Sequence, residues 1–338
     1  MGFDENEISK NAFGGTEIAK RSLGALLDPT LLDPVQIICS RVRELDPTKI
    51  RVLWLHDLPE DPESAKLQQA HYRDQFHHTV FISHWQYERY RLMHGIPYKH
   101  SHSILETAIE PAPHAEKTKI VPEPIRLVYT STPQRGLELL LPVFDALTKV
   151  YPNIHLDVFS SFKIYGWEER DKQFESLYDF CRNHPKISYY GFVPNAALKE
   201  NLQSSHIFAY PSIWPETSCR AMLEAMSARL LCVHPNYAGL SDTSGHMNLM
   251  YQGDDDQQTH MQIFYGALEA AIRRCQNRTP QFENHLDAVK NYVDMRFGMQ
   301  TIVPQWNGLL RNLIEMYPTT ESRALPDATP GPVFRYTS

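Results

Sequence analysis

The stretch from Ser205 to Arg229, SHIFAYPSIWPETSCRAMLEAMSAR, decides the fold. Its apolar run from Ile207 to Tyr210 stops at Pro211, a polar turn carrying Glu216 follows, and Ala221, Leu223, Ala225 and Met226 fall where a helix interior would have them. The order is strand, loop, helix. Glu216 then sits in the loop and Glu224 about two turns into the helix, so both carboxylates can line one crevice at the carboxyl end of the strand. A pair of unrelated helix-end and surface acids is the plainer reading of that spacing. The loop after a strand of an open α/β sheet is nevertheless where ligands bind.

Around this stretch the alternation is regular. Strands are expected at Arg126 to Ser131, His155 to Ser160, Ile187 to Gly191, Ile207 to Tyr210 and Leu230 to His234, with helical segments near 137–150, 168–183, 195–203 and 218–228 between them. Strand and helix in turn imply right-handed βαβ units and a parallel sheet covered on both faces. Upstream, shorter strands are expected at Val35 to Ser40, Ile50 to His56, Thr79 to Ser83 and Ser103 to Leu105. Residues 111–124, PAPHAEKTKIVPEP, hold four prolines with mixed charge and suit an exposed linker. Downstream, Gln257 to Cys275 and Phe282 to Met316 read as helical, with Pro304 as a kink or break, and 318–338 as a loose tail.

The 338 residues exceed one ordinary core, and the 42% apolar share suits a globular protein of two domains. The formal net charge of -7 argues against broad nucleic-acid binding. The N-terminal stretch MGFDENEISKNAFGG is acidic and polar, unlike a secretory signal, and no segment approaches the ~20 apolar residues of a membrane span. The five cysteines, Cys39, Cys181, Cys219, Cys232 and Cys275, are scattered and never form CxxC, as expected of thiols in a reducing, cytoplasmic setting.

Three further motifs offer chemistry. Phe13-Gly14-Gly15-Thr16-Glu17 opens a helix, with Thr16 as the expected N-cap, and lets backbone approach an anion at the positive end of the helix dipole; a plain turn explains it equally well. Thr130-Ser131-Thr132-Pro133-Gln134-Arg135-Gly136 ends a strand, so Arg135 can fork onto a phosphate while Ser131 and Thr132 donate hydrogen bonds; a solvated turn arginine is the alternative. His56 closes the strand RVLWLH, where an imidazole can touch a sugar, shuttle a proton, or serve packing alone. Neither His77-His78 nor the group His94, His100 and His102 matches a metal-ligand spacing, so no metal site is expected. Serine-hydrolase, P-loop and dinucleotide glycine motifs are absent.

In this order, Gly14-Gly15-Thr16-Glu17, Ser131-Thr-Pro-Gln-Arg-Gly136, Gly191-Phe-Val-Pro194, and Glu216 followed eight residues on by Glu224, the chain from about 11 to 318 resembles the retaining family-4 glycosyltransferases of GT-B fold. The resemblance implies an α/β protein of two Rossmann-like domains facing across a cleft. Residues 1–117 would form a reduced acceptor-side domain lacking the usual first strand, 118–299 the donor-binding domain, 300–320 helices crossing back to the first domain, and 321–338 a flexible tail. It implies a hexosyltransferase-type, metal-independent enzyme without a cofactor, whose donor is a nucleotide-diphosphate sugar such as a UDP- or GDP-sugar. The acceptor would be a glycan, a lipid-linked or another hydroxyl compound, and a homo-oligomer is compatible with the fold.

Residue by residue, the resemblance places Glu224 on the ribose hydroxyls, Glu216 near the donor sugar, and Arg135 on the diphosphate where a lysine is usual. Gly14, Gly15 and Thr16 would face the phosphates or sugar, Phe192 and Val193 would border the base, Thr217 and Ser218 would flank the sugar acid, and His56 would be the sugar-facing histidine. Thr217-Ser218 replaces a common Phe-Gly, and Thr130 replaces a basic residue. A sugar-nucleotide epimerase or phosphorylase, or a GT-B-like binder of nucleotide or glycan without turnover, remains an alternative.

Overall fold

In a computed structural model, residues 12–40, 44–114 and 124–325 are described. The chain divides into two compact units, Met1–Ala108 with Phe297–Ser338, and Ile109–Arg296. Residues 115–123 of the expected linker and 326–338 of the expected tail lie outside the described residues.

The first unit holds a parallel sheet of four strands in sequential order: β1 Val35–Cys39, β2 Ile50–Trp54, β3 His78–Phe81 and β4 His102–Ile104. Its first two strands, VQIIC and IRVLW, are largely apolar and buried, as in a sheet covered on both faces. Because successive side chains point to opposite faces, Ile37, Val52, Trp54 and Val80 pack on one side with Ala19 and Leu23 of the helix Gly15–Leu26. Ile38, Leu53 and Phe81 pack on the other with Tyr87 and Tyr90 of the helix His84–His94. The first of these cores also takes Ile302, Trp306, Leu310 and Leu313, one stripe of the helix Met299–Met316. This helix runs through Pro304, and the chain turns instead at Gly298, its N-cap. Beyond it, where the sequence suggested a loose tail, Glu321–Arg323 forms a 3-10 turn whose Arg323 donates to the carbonyls of Tyr317, Pro318 and Thr48.

The second unit holds six parallel strands: β5 Ile125–Thr130, β6 Ile154–Phe159, β7 Ile187–Tyr189, β8 Ile207–Ala209, β9 Leu231–Pro235 and β10 Leu249–Tyr251. Their spatial order is β10-β9-β8-β5-β6-β7. Helices Leu137–Val150, Glu175–Asn183, Asn195–Ser204 and Arg220–Ser227 make the expected crossovers, and the short β10 is an addition to the strands expected from sequence. From β5 the chain steps outward to β6 and β7, then returns to lay β8 on the other side of β5, with Leu127 opposite Ile207 and Val128 opposite Phe208. The strand order therefore reverses between β5 and β8. Loops leaving two such neighbours diverge to opposite faces and open a crevice at their carboxyl ends.

Gly136 brings these two loops together. Its φ is +120°, and a Cβ there would lie 2.1 Å from the carbonyl oxygen of Pro211, which follows β8 by two residues. Gly136→Ala is expected to lose about 2–4 kcal/mol of stability in urea unfolding, from backbone strain plus the clash. Gly266→Ala, in the middle of the helix Gln257–Gln276 with open space at its Cβ, should gain about 0.5–1 kcal/mol. A loss no larger at 136 than at an ordinary loop position would refute the close approach.

Candidate functional site

The loop after β5 runs through the half-buried Ser131 and buried Thr132 into a 3-10 turn, Pro133–Arg135, that presents the Arg135 side chain. The loop after β8 makes a small turn in which Trp214 N donates to Ser212 Oγ, returning Glu216 toward β5. Gly239 holds this second loop from behind: its N–H donates to the Glu216 carbonyl at 2.8 Å, and a Cβ on it would stand 2.7 Å from that oxygen and 2.6 Å from the carbonyl oxygen of Thr217.

The two loops meet in an ion pair. Arg135 Nη1 donates to Glu216 Oε1 at 2.7 Å, with the arginine side chain 22% exposed and that of the glutamate 7%. The fully buried Tyr210 donates its hydroxyl to the same oxygen, and Ser131 Oγ lies 3.4 Å from that hydroxyl. Arg135 Nη2 donates to the Tyr165 hydroxyl at 3.3 Å, and the guanidinium lies 5.7 Å from the Trp214 ring centre. Burial works against the guanidinium's charge, but Glu216, followed by Tyr165 and Tyr210, outweighs it and holds Arg135 well above its ordinary pKa. Burial, with Glu216 adding to it, likewise pushes the Tyr210 phenol far up, so it is a hydrogen-bond donor at any working pH.

Glu224 is a second buried acid, in the helix Arg220–Ser227, and its Oε1 accepts from Arg220 Nε at 3.0 Å. The two glutamates thus have separate arginine partners. Thr217 and Ser218 are partly buried beside Glu216, and Phe192 and Val193 are partly buried in the loop after β7, past Gly191 in the left-handed region.

The remaining expected residues belong to the first unit. Gly14, not Thr16, is the N-cap of the helix Gly15–Leu26, and it makes no side-chain cap; Gly15 and Thr16 are already helical. Gly15 has open space about its Cβ. His56 follows β2, its backbone N–H donating to Ser40 Oγ at 2.7 Å and its ring 4.3 Å from that of Trp54. Burial pushes its imidazole down to about 3, so the ring is neutral at physiological pH. Ser40, at the end of β1, sits at φ 59°, a strained setting for a residue with a side chain.

Sequence reasoning missed Tyr210, Tyr165 and Gly239 as parts of this site. Tyr210 closes an apolar run and reads as core, Tyr165 belongs to no motif, and Gly239 acts only through a contact distant in sequence. Among the described residues, no group of three or more His, Cys, Asp or Glu side chains could hold a metal ion, and no helix is long and apolar enough to cross a membrane.

Residues 112–260, within the second unit, match the family of glycosyl transferases group 1. A search of curated protein sequences returns no match. Among solved structures, the chain resembles HepE of Anabaena in complex with UDP-glucose at a TM-score of 0.60 and 16% identity, over 78% of this chain and 72% of that one. A glycosyltransferase of Rickettsia africae matches at 0.62 and 14%, over 91% and 83%. The pneumococcal O-GlcNAc transferase GtfA, solved with UDP and GlcNAc, matches at 0.61 and 12%, over 89% and 60%. At identities this low the likeness shows the fold alone, a GT-B fold with two parallel-sheet α/β units.

The ion pair makes a stability prediction. Breaking a buried pair leaves a charge without its partner, so Arg135→Met and Glu216→Gln should each lose about 2 kcal/mol, less than a fully buried pair would because the arginine is partly solvated. The double variant should lose less than the sum by at least about 1 kcal/mol in a urea double-mutant cycle. Strict additivity would mean that the two groups do not interact.

Proposed function

We propose that the protein is a retaining, hexosyltransferase-type glycosyltransferase that moves a sugar from a nucleotide-diphosphate sugar to an acceptor hydroxyl. The observation that carries this reading is the Arg135–Glu216 pair at the strand-order reversal between β5 and β8, within the region that matches the group 1 glycosyl transferases. UDP-glucose in HepE, and UDP with GlcNAc in GtfA, favour a UDP-hexose as donor.

A departing diphosphate gathers negative charge as the glycosidic bond lengthens. Arg135 and the positive end of the helix Leu137–Val150, which begins immediately after the β5 loop, are suited to stabilise it without a metal ion. Ser131 and Thr132 add hydroxyl donors on the same loop. Glu216 serves the sugar hydroxyls and Glu224 the ribose, each a charged acceptor in a buried setting. Within the first unit taken by itself, the amides of Gly14–Thr16 at a helix end suit an anion, and the neutral His56 imidazole suits a hydroxyl partner. Phe192 and Val193 border the base, with Thr217 and Ser218 beside the sugar. The acceptor hydroxyl would attack from the face that the diphosphate leaves, giving retention. All five cysteines are buried free thiols, which suits a cytoplasmic enzyme.

Incubation with UDP-, GDP-, ADP- and TDP-linked hexoses and a panel of sugar and lipid acceptors should release nucleoside diphosphate from at least one donor, and EDTA should leave that turnover intact. Binding without turnover on every pair would point to a non-catalytic binder, and activity lost to EDTA and restored by magnesium would overturn the metal-free part.

Two variants test the assigned roles by calorimetry. Glu224→Ala should weaken nucleoside diphosphate binding by about 1–3 kcal/mol through lost ribose hydrogen bonds; unchanged affinity removes Glu224 from the site. Arg135→Ala should weaken diphosphate binding far more than nucleoside binding, and equal losses would contradict its placement.

A further inference from the structure

Glu216 carries two hydrogen bonds on one carboxylate oxygen and none on the other. Arg135 Nη1 and the Tyr210 hydroxyl both donate to Oε1, whereas Oε2 accepts nothing from the described residues. A carboxylate turns easily about its last side-chain bond, which has a broad and nearly two-fold preference. One donor on Oε1 would leave Oε2 free to swing. Two donors reaching the same oxygen from different elements fix the plane of the group.

Tyr210 is well placed for this. It is fully buried, its backbone N–H donates to Val233 O at 2.9 Å, and its ring is wedged between Tyr129 at 5.9 Å and Phe208 at 5.2 Å. Since its hydrogen goes to Glu216, its oxygen is the acceptor for Ser131 Oγ at 3.4 Å, which ties the β5 loop to the acid of the β8 loop by a second route beside Arg135.

We propose that Tyr210 is a positioning residue: with Arg135 it occupies Glu216 Oε1, so that Oε2 is presented in one fixed direction to a hydroxyl of the donor sugar. This rests on the glycosyltransferase reading above. Its consequence is that choice among donor sugars depends on a hydroxyl that touches no substrate.

The test is Tyr210→Phe, which removes one oxygen and keeps the ring in its aromatic packing. With the donor that wild-type protein turns over fastest from the UDP-, GDP-, ADP- and TDP-hexose panel, the variant should lose about tenfold in kcat/KM, the effect of one charge-assisted hydrogen bond. Its affinity for the corresponding nucleoside diphosphate should stay within about twofold, because that ligand lacks the sugar. Its preference between the best and second-best hexose on the same nucleotide should narrow. Tyr251→Phe, which deletes another buried phenol hydrogen bond in the same unit, to His260 at 2.9 Å, should keep the wild-type preference and so separates positioning from stability. Wild-type turnover with an undiminished hexose preference in Tyr210→Phe, or an equal loss of nucleoside diphosphate affinity, overturns this inference alone. A wild-type protein that neither binds nor turns over any nucleotide sugar overturns the glycosyltransferase reading, and this inference with it.

Discussion

A guanidinium and a carboxylate from two strand-end loops, joined at 2.7 Å by Arg135 and Glu216, are the interaction on which the arrangement of the second unit's site depends. Removing both charges from water costs several kcal/mol per ion, and their attraction recovers that only with close geometry and further hydrogen bonds. Tyr210 and Tyr165 supply those bonds. Apolar side chains of similar size would stabilise such a place as well or better. The pair is therefore better understood through what it can bind than through what it adds to stability, and its cost is carried by the apolar sheet beneath it, where Leu127, Val128, Ile207 and Phe208 are fully buried.

The same division of labour recurs at Glu224. There too an arginine, Arg220, holds Oε1, and Oε2 accepts nothing from the described residues. Each acid thus has one oxygen committed to a cation of the protein and one with no donor among the described residues. Vicinal hydroxyls are the common feature of a ribose and a hexose, so a repeated design of this kind fits a ligand with two polyol ends. Arg135 differs from Arg220 in position: it follows β5 and precedes the helix Leu137–Val150. That places its charge beside a helix N-terminus, a setting that favours an anion.

Much of this architecture was legible in the sequence because period and punctuation agreed. The strands of the second unit are apolar runs ended by Pro, Gly or Ser, and the helices between them carry apolar stripes, so β5 to β9 and their crossovers fall where expected. β10, Leu249–Tyr251, was missed because its short run Leu-Met-Tyr, between Asn248 and Gln252, holds no β-branched residue to mark it as a strand. Pro304 was read as a kink or break, and the apolar stripe 302, 306, 310 and 313, which packs across it, keeps the helix unbroken. Thr16 has N-cap chemistry, but the chain enters the helix at Gly14. In the site, the residue types were visible and their partnerships were not. Arg135 and Glu216 are 81 positions apart, and only the return of β8 to the side of β5 makes them neighbours. The hydroxyl of Tyr210 was hidden by its ring, which is core by every apolar criterion.

Thr217-Ser218 can now be given a physical reading. Where the resemblance has Phe-Gly after the sugar acid, a glycine would provide the backbone freedom to bring that loop close to its surroundings. This chain has side chains at both positions, and the close approach is supplied from the other partner: Gly239 lies so near the carbonyls of Glu216 and Thr217 that a single methyl would overlap both. The hydrogen bond from Gly239 N to Glu216 O fixes the loop at the residue that carries the acid. Backbone constraint at Gly239 and side-chain constraint from Arg135 and Tyr210 therefore converge on one residue from three elements. Glu216 is thus held at both its backbone and its Oε1 by residues that lie outside the 217–218 pair.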